Sequence, residues 1–474
     1  MSHLLRRFAR NNRPSLTEGD ARARMWIMSG EVSAPMKVFT VALMLSLGLA
    51  ALHAENWPHW RGPSATGVSG ETGLPERWSD TENIAWKAPL RGHGISSPVV
   101  WGERVFVTSQ TGRGVRRSGT HPSLVQGGDP AASGERALGG PPASGGRVSF
   151  LVTALSRLDG RKLWEYELPA EGELTEVHDK HNLASSSPVT DGQRIYAWFG
   201  TGQIVALDMA GKLIWSRHLG REYAPFQINW GHSSSPALFN DTLLLLCYHQ
   251  PTGHLLSLDA ASGKTRWRVE RGKDINSYST PLVVQTAGGP ELIVNSSDGV
   301  SGHNPSTGQL LWHIQESNRF PIPMPVFHDG TIFTTRGYRS GPYMAIRPGG
   351  KGDVSKSHVL WRTETGAPYV SSLVYHEGLL YMAGDVGVLS AIDAKTGQRV
   401  WQERTGGVFT ASPVAGDGKI YLLSEDGQTI VLASGKVPRV LARNRLTARQ
   451  LASPAISGGR LLIRTDDAVI AVGK

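Results

Sequence analysis

The chain has 474 residues and carries 49 lysines and arginines against 40 aspartates and glutamates, a formal net charge of +9. No basic stripe interleaved with aromatic residues accompanies this charge, so we expect no nucleic-acid partner. The single cysteine, Cys247, excludes an intramolecular disulfide. It lies in the apolar run Leu243-Leu244-Leu245-Leu246-Cys247 and is expected to be a small buried hydrophobic residue.

The first 54 residues are interpreted as a presequence with a signal peptide. Met36-Lys37 is followed by an apolar run over 38–51 and by Leu52-His53-Ala54, which is acceptable as a cleavage site. The run is short for a membrane-spanning helix, and no cysteine follows it to carry a lipid. Met36 is the expected true start, with an extended basic region from Met1 as the alternative. We therefore expect an exported protein, periplasmic or extracellular, without an integral membrane segment after cleavage.

A Ser-Pro element recurs through the rest of the chain at a spacing of roughly 40 to 50 residues, which is typical of a repeat architecture. Its eight copies begin at Ser97, Ser187, Ser235, Thr280, Met324, Ser372, Ser412 and Ser453. A typical copy is followed by a β-rich run such as Arg194-Ile195-Tyr196-Ala197-Trp198, a second such run, a glycine turn and a closing tryptophan. Four short strands per unit, separated by Gly, Asp and Asn turns, indicate a four-stranded antiparallel sheet.

Sheets of this kind stack radially as propeller blades, so the sequence predicts an all-β, eight-bladed β-propeller over 84–474. The eighth unit has only three strands and no closing tryptophan. The segment Ile84-Ala85-Trp86-Lys87, ahead of the first unit, has the pattern of the missing strand. We expect it to complete the last blade and close the ring, which leaves no sheet edge exposed.

The repeat resembles the PQQ-like repeat of quinoprotein dehydrogenases and of the outer-membrane assembly factor BamB. The residues that carry the resemblance include Ala206-Leu207-Asp208-Met209-Ala210-Gly211-Lys212-Leu213-Ile214-Trp215. The segment Trp57-Pro58-His59-Trp60-Arg61-Gly62-Pro63 also resembles the start of PQQ-like propellers from environmental bacteria. The resemblance covers 55–474 and is specific for the fold, whereas one propeller hosts unrelated activities.

A tryptophan closes most units, and we expect each to bury its ring between adjacent blades and to donate its indole N–H to a backbone carbonyl. The glycine about four residues earlier gives the turn a positive φ and lets the ring approach. The expected structural tryptophans are Trp86, Trp164, Trp215, Trp267, Trp312, Trp361 and Trp401. The fifth unit departs from the pattern, because Ala345-Ile346-Arg347-Pro348-Gly349-Gly350 replaces the Asp turn and a polar loop follows at 351–357.

Two segments lie outside the repeat pattern. Residues 55–83 form an N-terminal extension ahead of the first strand. Residues 112–147 are rich in Gly, Ser, Pro, Ala and Arg and split the second and third strands of the first blade. Because this insert has no apolar periodicity, we expect it to be disordered, with a mobile lid or interaction arm as the alternative.

The predicted ligand site is the mouth of the central channel, where the loops that lead into the innermost strands converge. The loops of blades two to four contribute the candidate residues His178, Lys180, His181, Trp230, His232 and Tyr278. The histidines His178 and His232 predict that affinity changes at about pH 6 to 7, where an unperturbed imidazole titrates. The spacing of His178 and His181 is not that of a zinc site, so no metal is expected.

Two functions are compatible with this sequence. The first is a non-catalytic binding or scaffold module of the BamB-like kind, monomeric and without a cofactor, which holds a protein, a glycan or a small molecule at a propeller face. The alternative, which the resemblance implies, is a dehydrogenase that oxidises an alcohol or a sugar with PQQ and calcium at the channel mouth. Such enzymes often carry an adjacent-cysteine disulfide over the quinone, which a chain with one cysteine lacks. No segment matches their calcium-binding Glu and Asn either, so we expect the binding module and no catalytic residues.

Overall fold

The computed structural model of the protein describes residues 55–112, 114, 147–175, 177–178, 180–249, 252–338 and 340–473. The expected presequence at 1–54 lies outside these residues. So does the interior of the insert at 112–147, of which only the ends are described. The expectations for a signal peptide and for a disordered insert therefore stay predictions.

The described residues form eight sheets arranged as a propeller, each with four antiparallel strands and one with a short fifth strand, which confirms the predicted fold. Strand β1 (Ile84–Pro89) precedes the blades. Blades 1 to 4 are β2 (Val99–Trp101), β3 (Arg104–Thr111), β4 (Ser149–Ser156), β5 (Lys162–Pro169); β6 (Val189–Thr190), β7 (Arg194–Trp198), β8 (Gln203–Asp208), β9 (Leu213–His218); β10 (Ala237–Phe239), β11 (Thr242–Cys247), β12 (Gly253–Asp259), β13 (Thr265–Gly272); and β14 (Leu282–Thr286), β15 (Gly289–Ser296), β16 (Gly299–His303), β17 (Leu310–Gln315).

Blades 5 to 8 repeat this order, with one short extra strand, β21 (Gly352–Asp353), inside blade 5. They are β18 (Val326–His328), β19 (Thr331–Thr335), β20 (Tyr343–Ile346), β22 (Val359–Thr363); β23 (Val374–His376), β24 (Leu379–Ala383), β25 (Val388–Asp393), β26 (Arg399–Arg404); β27 (Val414–Gly416), β28 (Lys419–Leu423), β29 (Gln428–Ala433), β30 (Arg439–Arg445); and β31 (Ala455–Ser457), β32 (Arg460–Arg464), β33 (Ala468–Val472). The helix α1 (Leu219–Glu222) has four residues, and a helix able to cross a membrane is not found in the part of the chain that the structure describes.

The ring closes as the sequence predicts. Strand β1 pairs antiparallel with β33 and becomes the outer strand of blade 8, with Trp86 opposite Ala471 and Pro89 opposite Ala468. The first and last parts of the propeller are thus hydrogen-bonded in one sheet. This arrangement removes the free edge that a three-stranded last blade would present.

The middle strands of each blade are buried on both faces, because the neighbouring blades cover them. All six residues of β11 are buried, whereas exposed and partly exposed residues alternate along the outer strand β13. The apolar runs of the sequence are these middle strands. Cys247, at the end of β11, is fully buried, and burial raises the pKa of its thiol.

Five of the seven tryptophans donate their indole N–H to a carbonyl oxygen of the following blade. The donors Trp86, Trp164, Trp215, Trp361 and Trp401 reach Arg157, Met209, Ala260, Ala394 and Gly435 at 2.9 to 3.1 Å. The turn glycine receives the ring of the preceding blade rather than that of its own. At Gly211, where φ is +86°, an added Cβ would lie 2.6 Å from the Trp164 ring. Only glycine tolerates both the backbone conformation and this close approach.

Blade 5, whose turn departs from the repeat, changes this interface. Trp312 of blade 4 is fully buried, and its indole N–H donates to a carboxylate oxygen of Glu291 in its own blade at 2.6 Å. The longer loop of blade 5 instead supplies β21, which pairs in parallel with β17 of blade 4. A strand from the loop therefore replaces the missing Asp-to-Gly turn at this interface.

The serine of the repeated Ser-Pro element links one blade to the next. The backbone N–H groups of Ser97, Ser187 and Ser235 donate to the side-chain oxygen of the corresponding residue in the following blade at 2.9 to 3.0 Å. Met324, Ser372 and Ser412 donate in the same way at 2.9 Å. We call the accepting side chains the hydroxyl ring: Ser187, Ser235, Thr280, Ser372, Ser412 and Ser453. Because these N–H groups are buried, the hydroxyls satisfy donors that would otherwise destabilise the channel wall.

Part of the N-terminal extension contacts the innermost strands of the ring, and we call residues 57–68 the axial plug. Trp57 exchanges two backbone hydrogen bonds with Val100 in the innermost strand of blade 1. The fully buried guanidinium of Arg61 donates to the carbonyls of Leu373 and Pro413, at the inner edges of blades 6 and 7, at 2.9 and 2.8 Å. Burial lowers the pKa of Arg61 to about 9, so it remains a cation at neutral pH. The axial plug is therefore bonded to the inner edges of blades 1, 6 and 7.

Candidate ligand pocket

A cavity of about 950 Å³ occupies the channel mouth above the axial plug. Its position follows from the strand order. Strand directions alternate in each blade, so the connections between blades and the hairpins between second and third strands reach the same face. The cavity lies among these two sets of loops, and Trp60 of the axial plug contributes to its lining. The volume is near the upper end of the range of about 300 to 1,000 Å³ found for ligand pockets.

Five of the six residues that the sequence nominates line this cavity: His178, Lys180, His181, Trp230 and Tyr278. The sixth, His232, lies behind the wall. It is fully buried, and its ring centroid is 4.2 Å from that of Trp198. His232 lies two residues after Trp230 in the chain. Its ring is directed toward the interface of blades 2 and 3, where the rings of Trp198 and Phe226 cover it.

Burial also decides how these histidines titrate. Desolvation, followed by the nearby His249 imidazole, lowers the pKa of His232 to about 3, and burial lowers that of His181 to about 4. The expectation that His232 titrates at about pH 6 to 7 is therefore wrong, because no solvent reaches its ring. At neutral pH both rings are uncharged.

An aromatic belt borders the cavity: Trp230, Tyr278, Tyr338 and Tyr369 line it, and Phe320 packs between Tyr278 and Tyr338 without lining it. The ring centroids of consecutive members from Tyr278 to Tyr369 are 6.3, 5.1 and 5.5 Å apart. The members belong to the loops before blades 3 to 6 and to a hairpin of blade 5. Trp230 has a φ of +75°, which is unusual for a bulky residue, and its ring lies 5.8 Å from the His178 imidazole.

Two carboxylates and one ammonium group lie in the loops of blades 2, 6 and 7 at this mouth. The Nζ of Lys180 is 2.8 Å from Glu425 Oε1, and the hydroxyl of Thr410 donates to the same oxygen at 2.5 Å. Glu425 belongs to the hairpin between β28 and β29 of blade 7, whereas Lys180 precedes blade 2. Blades 8 and 1 lie between them in the ring, so this ion pair joins loops that are not neighbours.

Asp385, in the hairpin between β24 and β25, is the second carboxylate. Its two oxygens accept the backbone N–H groups of Tyr369 at 2.7 Å and Val370 at 3.3 Å. Burial raises the pKa of Asp385 to about 6, although these hydrogen bonds and the charge of Lys180 favour the ionised form. The carboxylate is therefore held in a fixed orientation on the cavity wall.

Sequence reasoning missed Trp60, Tyr338, Asp385 and Glu425. Trp60 belongs to an extension outside the repeat, and no pattern in the sequence places that extension in the channel. The other three lie in connections between second and third strands. Alternating strand direction brings those connections to the same face as the loops before each blade, so topology alone could have nominated Asp385 and Glu425.

PQQ and calcium, the groups that the resemblance implies for catalytic relatives, fit these residues poorly. Calcium takes six to eight oxygen ligands. Among the described residues, no group of three or more His, Cys, Asp or Glu side chains is arranged to hold a metal ion. The carboxylate of Asp385 is already engaged by two backbone donors. Cys247 is buried in blade 3 and has no second cysteine with which to cap a quinone.

The chain is similar to known families and structures. A family model described as outer membrane protein assembly factor BamB matches residues 77–222, 148–339 and 352–473. BamB from Moraxella catarrhalis is 15% identical with a TM-score of 0.50, over 68% of this chain and 88% of that chain. Quinohemoprotein alcohol dehydrogenase from Comamonas testosteroni is 11% identical with a TM-score of 0.62, over 88% of this chain and 81% of that chain. A europium-containing methanol dehydrogenase is 13% identical with a TM-score of 0.62, over 88% of this chain and 89% of that chain. No curated protein sequence matches. Identities this low establish the fold and not the activity.

Proposed function

Since the chain belongs to the BamB-like family of PQQ-like repeat propellers, we propose that it is a non-catalytic binding module whose ligand occupies the axial pocket. The observation that carries this proposal is a cavity of about 950 Å³ whose wall combines an aromatic belt, fixed polar groups and Trp60 of the axial plug. A pocket that is largely preformed and lined by a few placed polar groups is typical of a ligand site.

A quinoprotein dehydrogenase is the second candidate, and the similarity in fold alone favours it. The chemistry of the pocket supports it less well, because no group of three or more His, Cys, Asp or Glu side chains among the described residues is arranged to hold a metal ion. His181 is kept neutral by burial, and the charge of Lys180 is paired with Glu425. The described side chains thus suit binding better than proton or hydride transfer.

The proposal includes an exported location. The apolar run at 38–51 supports a periplasmic or extracellular protein, as does membership of a family described by an outer-membrane assembly factor. A monomer is sufficient for the proposed site, because the pocket forms within one ring.

A tryptophan placed in the pocket tests the proposal. Ser233 lines the cavity and is partly exposed, so the side chain of Ser233→Trp should project into it. Native mass spectrometry of protein purified from its own exported compartment should detect a small-molecule adduct on the wild type. We expect Ser233→Trp to weaken binding about tenfold, a change of about 1.4 kcal/mol in binding free energy, and so to lower the occupancy of the adduct.

The matched control is Ser306→Trp. Ser306 is exposed on a turn of blade 4 and does not line the cavity. This variant should keep the adduct at the wild-type level. Equal occupancy in Ser233→Trp and in the wild type would contradict a ligand site in the axial pocket.

A further inference from the structure

The base of the axial pocket carries hydroxyl groups whose protons have no acceptor among the described residues. The oxygens of Ser187, Ser235, Thr280, Ser412 and Ser453 each accept one backbone N–H. They line the cavity although each residue is only 3 to 7% exposed. In the described residues none of these five hydroxyls donates to another protein group. Since each hydroxyl carries a proton, the ring presents donors to whatever fills the cavity.

The wall of the pocket presents an acceptor above these donors. Both oxygens of Asp385 are held by backbone N–H groups, and each retains a lone pair. Because one of these N–H groups belongs to Tyr369, the carboxylate is fixed beside an aromatic ring of the belt. A ligand that lies against Tyr369 is therefore within reach of a carboxylate acceptor.

The combination of hydroxyl donors and a carboxylate acceptor disfavours several kinds of ligand. A purely apolar ligand would leave the buried hydroxyls and the Asp385 carboxylate without partners, which is costly away from water. A compact anion would satisfy the hydroxyls but would lie near a carboxylate. A sugar hydroxyl both donates and accepts, and the C–H face of a sugar ring packs on an aromatic side chain. The cavity of about 950 Å³ has room for more than one such ring.

We propose that the axial pocket binds an oligosaccharide, with its ring faces on the aromatic belt and its hydroxyl groups paired with the hydroxyl ring and with Asp385. This inference rests on the proposed binding function and names the class of its ligand.

Isothermal titration calorimetry of the full chain with cellotetraose, maltotetraose and chitotetraose tests the inference. Saturable binding of at least one of them is expected near neutral pH. Tyr369→Ala should weaken that binding about tenfold through the lost ring contact. Asp385→Asn should weaken it as well, since it keeps the size of the side chain but removes one acceptor oxygen. Circular dichroism establishes whether each variant is folded. If Tyr369→Ala does not fold, Asp385→Asn still tests the inference.

Tyr375→Ala is the matched control. Tyr375 lies in β23 of the same blade, stacked on His328 at 3.8 Å, and does not line the pocket. Its affinity should equal that of the wild type. The inference is overturned where none of the three oligosaccharides binds, or where Tyr375→Ala weakens binding as much as Tyr369→Ala does.

Failure of this inference is distinguishable from failure of the proposed function. An adduct of non-carbohydrate mass that Ser233→Trp abolishes, together with no oligosaccharide binding, overturns the sugar class and supports the binding module. An adduct that is equal in Ser233→Trp and in the wild type overturns both.

Discussion

Trp86→Ala is expected to lower the free energy of unfolding by about 3 to 5 kcal/mol, the cost of removing a large aromatic side chain from a core. Trp86 is 7% exposed and donates its indole N–H to Arg157 of blade 1 at 3.0 Å. It belongs to β1, which pairs with β33 and supplies the outer strand of the last blade. The loss should therefore affect the whole ring, and urea unfolding followed by circular dichroism measures it.

Three truncated chains separate the contribution of ring closure by β1 from that of the axial plug. A chain that begins at residue 55 should unfold as the full chain does. One that begins at residue 84 keeps β1 but lacks the axial plug, and one that begins at residue 90 lacks both. We expect stability to fall at each step, because β1 supplies a paired strand and Arg61 of the plug binds two inner-edge carbonyls. Equal stability of the chains that begin at residues 84 and 90 would contradict closure by β1.

Acid should unfold the protein between about pH 6.5 and pH 4. His232, His254 and His303 are 0 to 1% exposed. Burial is the largest cause that lowers their pKa values, to about 3, 4 and 4. In the unfolded chain these imidazoles protonate at about pH 6.5. The unfolded state thus binds more protons below that pH, and stability falls as the pH drops toward the folded-state values.

The net change in stability on acidification depends on how the contributions of the buried histidines and of Asp385 add up. Each buried histidine costs about 3 kcal/mol by the time the pH has fallen to about 4. Asp385 acts in the opposite sense, because its raised pKa of about 6 favours the folded state on acidification. One such carboxyl offsets one histidine, so three histidines leave a net loss comparable to the total stability of many domains.

His232→Phe tests the acid prediction. The variant keeps an aromatic ring against Trp198 and removes one buried titrating group, so its acid midpoint should move to lower pH. His328→Phe is the control, since His328 is exposed and stacked on Tyr375. Equal midpoints for His232→Phe and His328→Phe would contradict the assignment.

The parts of the fold that the sequence predicts are those in which local pattern and global closure agree. The Ser-Pro spacing, the alternating strands and the strand at Trp86 specify eight blades and their closure, because each unit must cover the apolar faces of its neighbours. The role of the recurring serine is not visible in one unit. It appears only when Ser412 of blade 7 is seen to receive the N–H of Ser372 and to donate its own to Ser453.

The sequence predicts where the candidate pocket lies but not all of the residues that line it. Loops before the inner strands place Lys180, Trp230 and Tyr278 correctly, since strand direction is fixed by the repeat. The burial of His232 depends on packing against Trp198 of blade 2 and Phe226 of its own connection, which the loop pattern alone does not reveal. The plug was not predictable, because residues 57–68 have no repeat partner with which to compare them.

The most direct measurement of the central claim, that the protein binds a ligand without catalysing its oxidation, is reconstitution with PQQ and calcium. Purified protein is incubated with both, passed through gel filtration and assayed with an artificial electron acceptor on primary alcohols and aldoses, beside a known quinoprotein dehydrogenase. The account predicts no stoichiometric retention of PQQ and no substrate-dependent reduction of the acceptor. Retention of one PQQ per chain together with substrate-dependent reduction would contradict it.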